Sequence, residues 1–348
     1  MTTEVRELHD SARQVLGGID LAADEQATWP LIADLGWLMI STPEDMGGLG
    51  MGLAGACALH MELGRRLATI PFLPATLAIE AICLGDLPGR EAWLERLTAG
   101  SDYVAAPLAE SALHLLPGDK ELAGTAVAVQ SADRASHVMV WTSSGDCVAL
   151  VALDRPGVRI HARPTWDTTR RLFEVEFAGA VLDDALVLAR GPAAQSLARR
   201  LATVRDFALA AEAAGGAAAL LDLTVEYLQT RQQFGRPLAL FQALKHRCAD
   251  LKALTEGAQA LLQDSLAKLG DYPGGIAQAE LAGRAAKQLA CSAYASVTEE
   301  SLQLHGGIGM TSEHVCHLFL KRAMLNEHLG RSQESCSSDL AKAFLECS

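Results

Sequence analysis

The sequence predicts an α+β protein that is mostly α. It divides into an N-terminal helical domain over residues 1–100, a small middle β-barrel or sandwich over 101–190, and a C-terminal four-helix bundle over 191–348. Three observations lead there. Apolar residues recur at helical spacing through both ends of the chain. Between about 102 and 188 the texture changes to short β-rich runs separated by Gly, Asp and Pro. Aromatics are few while Ala, Leu and Gly abound, which suits helices packed closely through small residues.

Composition narrows the function. Half of the 348 residues are apolar and the net charge is −13. That balance argues against nucleic acid, which needs a basic surface, and against an anionic membrane face. No apolar run approaches the roughly twenty residues of a membrane span, and no signal peptide precedes the acidic, polar N-terminus. The eight cysteines form no CxxC and no clustered framework, so reduced core thiols and a cytoplasmic location are expected.

Taken in order, residues 3–40 read as helices, with Trp29 to Trp37 apolar at helical spacing and a stop at Gly36. Ser41 to Gly50 is a turn, and a helix follows from Leu53 to Leu67. Gly50, Gly52 and Gly55 match the dinucleotide fingerprint by spacing. The fingerprint requires a strand before it, however, and here a Pro-Glu-Asp turn precedes it and helical patterns follow. Six strands are expected: Thr125–Val129, His137–Thr142, Cys147–Leu153, Gly157–Ala162, Leu172–Phe177 and Ala185–Leu188. Helices are expected at about 192–232, 239–269, 274–304, 312–327 and 332–346, broken at Pro273-Gly-Gly and at Gly306-Gly-Ile-Gly309.

One stretch organises the chain: Tyr227-Leu-Gln-Thr-Arg231-Gln-Gln233-Phe234-Gly-Arg-Pro237-Leu-Ala-Leu-Phe241-Gln242. Arg231 and Phe234 lie three apart, so on a helix they share a face. Gln242 opens the next helix. Taken singly, these residues read first as helix punctuation, with Gly235 and Pro237 ending one helix and starting another. Gathered at one corner, a guanidinium, an aromatic ring and an amide suit a ligand that carries phosphate and a flat base.

Read with Gln303-Leu-His305-Gly306-Gly307-Ile-Gly309, the stretch resembles the C-terminal domain of the acyl-CoA dehydrogenases, flavoenzymes that desaturate acyl-CoA thioesters. Gly-Trp, Pro-Glu, Gly-Gly-Leu-Gly and Glu-Leu-Gly-Arg in the first third resemble the same family's N-terminal domain. The resemblance implies the acyl-CoA dehydrogenase fold and FAD bound between two subunits, one cradling the flavin ring and its neighbour holding the adenosine and pyrophosphate. Carried over to this chain, the second set is Arg231, Gln233, Phe234, Gln242, Gln303, Gly306 and Gly307. The two glycines are expected to let backbone amides approach an anion at the start of a helix near Thr311.

The ring cradle departs from the family pattern. The usual Thr-Glu-Pro-x-x-Gly-Ser-Asp run is replaced by Val104-Ala-Ala-Pro-Leu-Ala-Glu110-Ser111, and the later aromatic-plus-hydroxyl element survives only as Trp141-Thr142. So does the base. One family position for the catalytic Glu falls on Gly330, with Glu327 three residues earlier and aimed elsewhere, and the other falls on Arg205. Arginine stays protonated. Asp206 follows it, turned about a hundred degrees around the helix, and the two are expected to form a surface or interface pair. No catalytic residue is therefore assigned.

A retained donor half-site beside a degenerate cradle resembles the short partner subunits of heterotetrameric α2β2 acyl-CoA dehydrogenases from actinobacterial steroid degradation. That likeness implies a catalytic partner subunit, an acyl-CoA substrate, and an electron-transfer flavoprotein or other acceptor. The alternatives are a self-sufficient homotetramer using Asp206, and a flavin-free scaffold. His314-x-Cys316-His317 is expected to be ordinary helix surface rather than a metal site, and His305 to pack beneath the glycine turn.

Overall fold

A computed structural model describes residues 2–269, 275–331 and 333–346. The expected break at Pro273 and Gly274 lies outside the described residues. The N-terminal helices are α1 (Thr3–Gly17), α2 (Glu25–Asp34), α3 (Gly52–Arg65), α4 (Phe72–Leu84) and α5 (Arg90–Thr98). Thr2 and Asp24 cap the first two, their side-chain oxygens accepting from the amides of Val5 and Gln26. The helix read from Trp29 stops as expected. It ends at Asp34, Gly36 takes a left-handed φ of 69°, and Trp37–Met39 forms a 3-10 turn. Another 3-10 turn, Glu44–Met46, precedes the fingerprint-like glycines, so no strand leads into them.

The middle region is a sandwich of two four-stranded sheets. Strands β1 (Val104–Ala105), β4 (His137–Trp141), β5 (Cys147–Ala152) and β8 (Val187–Arg190) form one, in the order β1-β4-β5-β8. Strands β2 (Ala112–Leu115), β3 (Glu121–Gln130), β6 (Val158–Arg163) and β7 (Leu172–Val181) form the other, in the order β2-β3-β7-β6. Eight strands replace the expected six, because β1 and β2 are too short to show an alternating pattern. The residues before Val187 form a 3-10 turn over Asp184–Leu186 rather than strand. Alternation is clear in β7: Val175 and Phe177 face the core, while Glu174 and Glu176 face out toward Arg163 and His161 of β6.

Helix α6 (Gly191–Thr230) is the spine. It is long and apolar enough to cross a bilayer, but 83% of its most apolar window is buried inside the protein. A Cβ built on Gly215 would lie 1.9 Å from the Met61 carbonyl oxygen of α3, and one on Gly64 would lie 2.2 Å from the Glu212 carbonyl oxygen of α6. The two helices therefore cross backbone to backbone, which explains the small residues at the contact. A two-residue hairpin follows α6, made of β9 (Gln232–Gln233) and β10 (Arg236–Pro237). Helices α7 (Gln242–Ala267), α8 (Ile276–His305), α9 (Cys316–His328) and α10 (Gln333–Glu346) complete the chain. Helices α7, α8 and α9 pack with α6 as a bundle, and α10 lies on α8.

A buried ionic cluster pins the three regions together. Arg322 of α9 donates to Asp167 at 2.6 Å, to Glu212 of α6 at 2.9 Å and to the Ala68 carbonyl at 3.2 Å, while Arg170 also donates to Glu212. Burial alone would push the Glu212 carboxyl up, but the Arg170 and Arg322 guanidiniums overcome it and hold it at about 2.

Candidate functional site

The organising stretch forms an exposed corner. Helix α6 stops at Thr230, and Arg231 is extended at φ −70°, ψ 124°. Phe234 and Gly235 sit at the hairpin tip with φ of 54° and 77°. Arg231 and Phe234 therefore do not share a helix face; the tight turn, with two positive φ values, displaces the helix that their spacing suggested. Phe234 is 89% exposed. Its ring meets Phe241 edge-on at 6.0 Å, and the Arg236 guanidinium lies 4.1 Å over Phe241. The Leu238 amide donates to the Arg231 carbonyl at 2.9 Å and closes the corner. Gln242 is the first residue of α7, exposed, with its amide nitrogen 2.9 Å from His246 Nε2.

The glycine turn stands beside this corner. Tyr227, one helical turn before Arg231, stacks on His305 at 4.4 Å and its hydroxyl donates to the His305 carbonyl at 3.3 Å. Gly306 follows at φ 64°, ψ −146°, a conformation essentially reserved for glycine. Gly306–Met310 is itself a 3-10 turn, and α9 begins only at Cys316, so the helix start expected near Thr311 is absent. The open backbone remains: a Cβ on Gly306 or Gly307 would meet nothing within 4 Å. Arg231, Gln233 and Gln303 are exposed and make no side-chain hydrogen bond or ion pair among the described residues. A free guanidinium, free amides, a presented aromatic face and uncovered backbone suit a phosphate-bearing aromatic ligand.

His305 packs beneath the turn, buried, with Nδ1 2.8 Å from the Ser301 carbonyl. Cys316 is not surface: it is fully buried, 3.5 Å from His305 Nδ1. One donor atom each from His305, His314 and Cys316 lie within 4.8 Å of one another, so the buried neighbour is His305 and not His317. Burial pushes the Cys316 thiol up to about 12, and the three donors fall short of the four of a structural zinc site.

The residues that depart from the family pattern gather elsewhere, around a cavity of about 730 Å³. Glu110, Ser111, Trp141, Thr142, Arg205 and Asp206 all line it. Arg205 and Asp206 are 2% and 3% exposed, so they are not a surface pair. Adjacent on α6, they nonetheless reach the same cavity, with Arg205 Nε 3.9 Å from Asp206 Oδ1. Gly330 closes on the same point, since its Cβ would lie 2.9 Å from Asp206 Oδ1, 3.3 Å from Lys287 Nζ and 3.4 Å from Arg205 Nε. Burial raises the Asp206 carboxyl against the pull of Arg205 and Lys287. Glu327 is absent from the lining. Arg199, Arg284, Arg331 and Glu280 also line the cavity, and no local motif marks them in the sequence.

Residues 196–345 match the acyl-CoA dehydrogenase C-terminal domain, and residues 3–101 match the N-terminal domain. The chain is 34% identical over 302 residues to the acyl-CoA dehydrogenase IpdE2 of Mycobacterium tuberculosis, covering 86% of this chain and 80% of that protein. Among solved structures it is similar to a variant of the Tcur3481-Tcur3483 steroid ACAD, with 26% identity and a TM-score of 0.85 over 99% of this chain and 98% of that one. The ChsE4-ChsE5 complex of Mycobacterium tuberculosis, at 24% identity, shares the fold with a TM-score of 0.88 over 99% of this chain and 98% of that one.

Proposed function

This chain belongs to the acyl-CoA dehydrogenase family, and on that premise we propose that it is the partner subunit of an α2β2 enzyme, completing the FAD site of a catalytic subunit. Arg231, Gln233, Phe234, Gln242, Gln303, Gly306 and Gly307 would hold the adenosine and pyrophosphate, while the partner cradles the ring and supplies the catalytic Glu. When bound, the flavin supplies the hydride-accepting chemistry of α,β-desaturation. The substrate is a bulky, steroid-type acyl-CoA thioester, and the electrons pass to an electron-transfer flavoprotein or another acceptor.

An asymmetry carries this reading. The two positions the resemblance gives for the acid are Arg205, which lines the cavity, and Gly330, which lies against Arg205 and Asp206, and neither can take an α-proton. The donor half-site, by contrast, keeps the Arg231 guanidinium, the Gln233 and Gln303 amides and its open glycines without partners among the described residues. Arg231→Ala in the purified complex is expected to weaken FAD retention about 10- to 100-fold, the loss of a charge-assisted bond to phosphate. Full flavin retention in that variant would remove Arg231 from the site.

A second reading is favoured by Asp206, whose carboxyl is buried at the cavity and raised, as a base requires. It predicts turnover by this chain alone, abolished in Asp206→Asn.

A further inference from the structure

We propose that the cavity beside Gly330 is a binding site for a small carboxylate, received by the buried guanidinium of Arg205. Arg205 is 2% exposed and makes no hydrogen bond among the described residues, and its Nε is buried without a partner. A buried guanidinium nitrogen without a partner is costly, and such groups are ordinarily completed by water or a ligand. Among the described residues its one ion-pair partner within 4 Å is Asp206 at 3.9 Å, itself unbonded at Oδ1.

The charge balance at this wall is positive. Lys287 Nζ and Arg205 Nε both converge on the point beside Asp206 Oδ1 where a Gly330 side chain would start, giving two buried cations to one carboxylate. The other cations of the cavity are already matched: Arg199 to Glu280 at 2.8 Å, Arg284 to Asp339 at 2.9 Å, and Arg331 to Glu110 at 3.1 Å. Arg205 is thus the cation left for an incoming anion.

The site favours a carboxylate over a phosphate. The guanidinium lies over the Trp141 ring at 5.9 Å, and its flat fork pairs with a carboxylate or a phosphate alike, so the preference comes from the lining. The alanines Ala112, Ala198 and Ala202 on the lining leave apolar room for a short carbon chain. This site is independent of the flavin half-site.

Isothermal titration of the full chain with butanoate, butanamide and inorganic phosphate tests the proposal. Butanoate is expected to bind once per chain, with butanamide and phosphate at least about tenfold weaker, since the amide loses the charge and phosphate has no carbon chain to bury against the alanines. Arg205→Met is expected to abolish butanoate binding, and Arg231→Ala to leave it unchanged. Should the methionine variant fail to fold, Arg205→Lys, which keeps the charge and loses the fork, is expected to weaken binding by a similar factor. No butanoate heat, equal binding of the amide or the phosphate, or butanoate binding unchanged in the Arg205 variant that folds would each overturn the assignment.

Discussion

Phe234 holds a left-handed backbone and an 89% exposed ring, two features that folding does not reward. Phe234→Gly should therefore raise thermal stability by about 1 kcal/mol, by relieving the backbone. In the same variant, FAD should be held less tightly by the complex, because the ring is lost. A gain in stability with flavin retention unchanged would mark Phe234 as mere turn residue. Gly330 is the opposite case. At φ 67°, with Asp206 Oδ1 only 2.9 Å from any added Cβ, it does not readily accept a side chain. Gly330→Glu is expected to cost about 1–2 kcal/mol in denaturant unfolding and to give the isolated chain no dehydrogenase activity. The sequence contained both acid positions, Arg205 and Gly330, but not their meeting at one wall. That meeting depends on how α6 and the segment after α9 pack, which no local spacing encodes.

At the scale of elements, helix ends were legible where Gly marks them, as at Gly36 and Gly306. At Gln232–Pro237 the turn was legible from Gly235 and Pro237, but the two short strands and the positive φ of Phe234 were not, since two-residue strands carry no period. The short strands β1 and β2 were missed for want of a period to read. The depth of α6 was hidden for another reason: a helix buried on all sides has no polar face to set against an apolar one. Its crossing with α3 gives a direct test. Gly215→Ala forces a Cβ to within 1.9 Å of the Met61 carbonyl oxygen, so the helices must separate, at about 1–3 kcal/mol in denaturant unfolding. An alanine variant as stable as the parent would mean the crossing is looser than described.

In the whole molecule, the cluster of Arg322, Arg170, Glu212 and Asp167 joins sandwich to bundle, and Arg322 reaches the N-terminal region through the Ala68 carbonyl. Glu212→Gln leaves buried guanidiniums undercompensated and is expected to cost about 3–5 kcal/mol. The sign of the pH dependence follows from the lowered carboxyl. Glu212 falls from the usual 4.5 to about 2 in the fold, so its stabilisation is present above 4.5 and is lost as the pH drops toward 2. Unfolding free energy should decline across that window by on the order of 3 kcal/mol from this group, with Asp167, also lowered against its burial by Arg322, acting in the same direction. The Glu212→Gln variant should show a shallower decline. None of this cluster was anticipated, since its members lie far apart in the chain.

The partner-subunit reading is tested most directly by flavin absorbance per chain, measured on this protein expressed alone and then with any acyl-CoA dehydrogenase encoded beside it. On that reading little flavin is bound alone, and about one FAD is bound per pair of unlike chains on co-expression. About one FAD per chain in the protein alone, bleached by acyl-CoA, would contradict it and point to a self-sufficient enzyme with Asp206 as the first base to test.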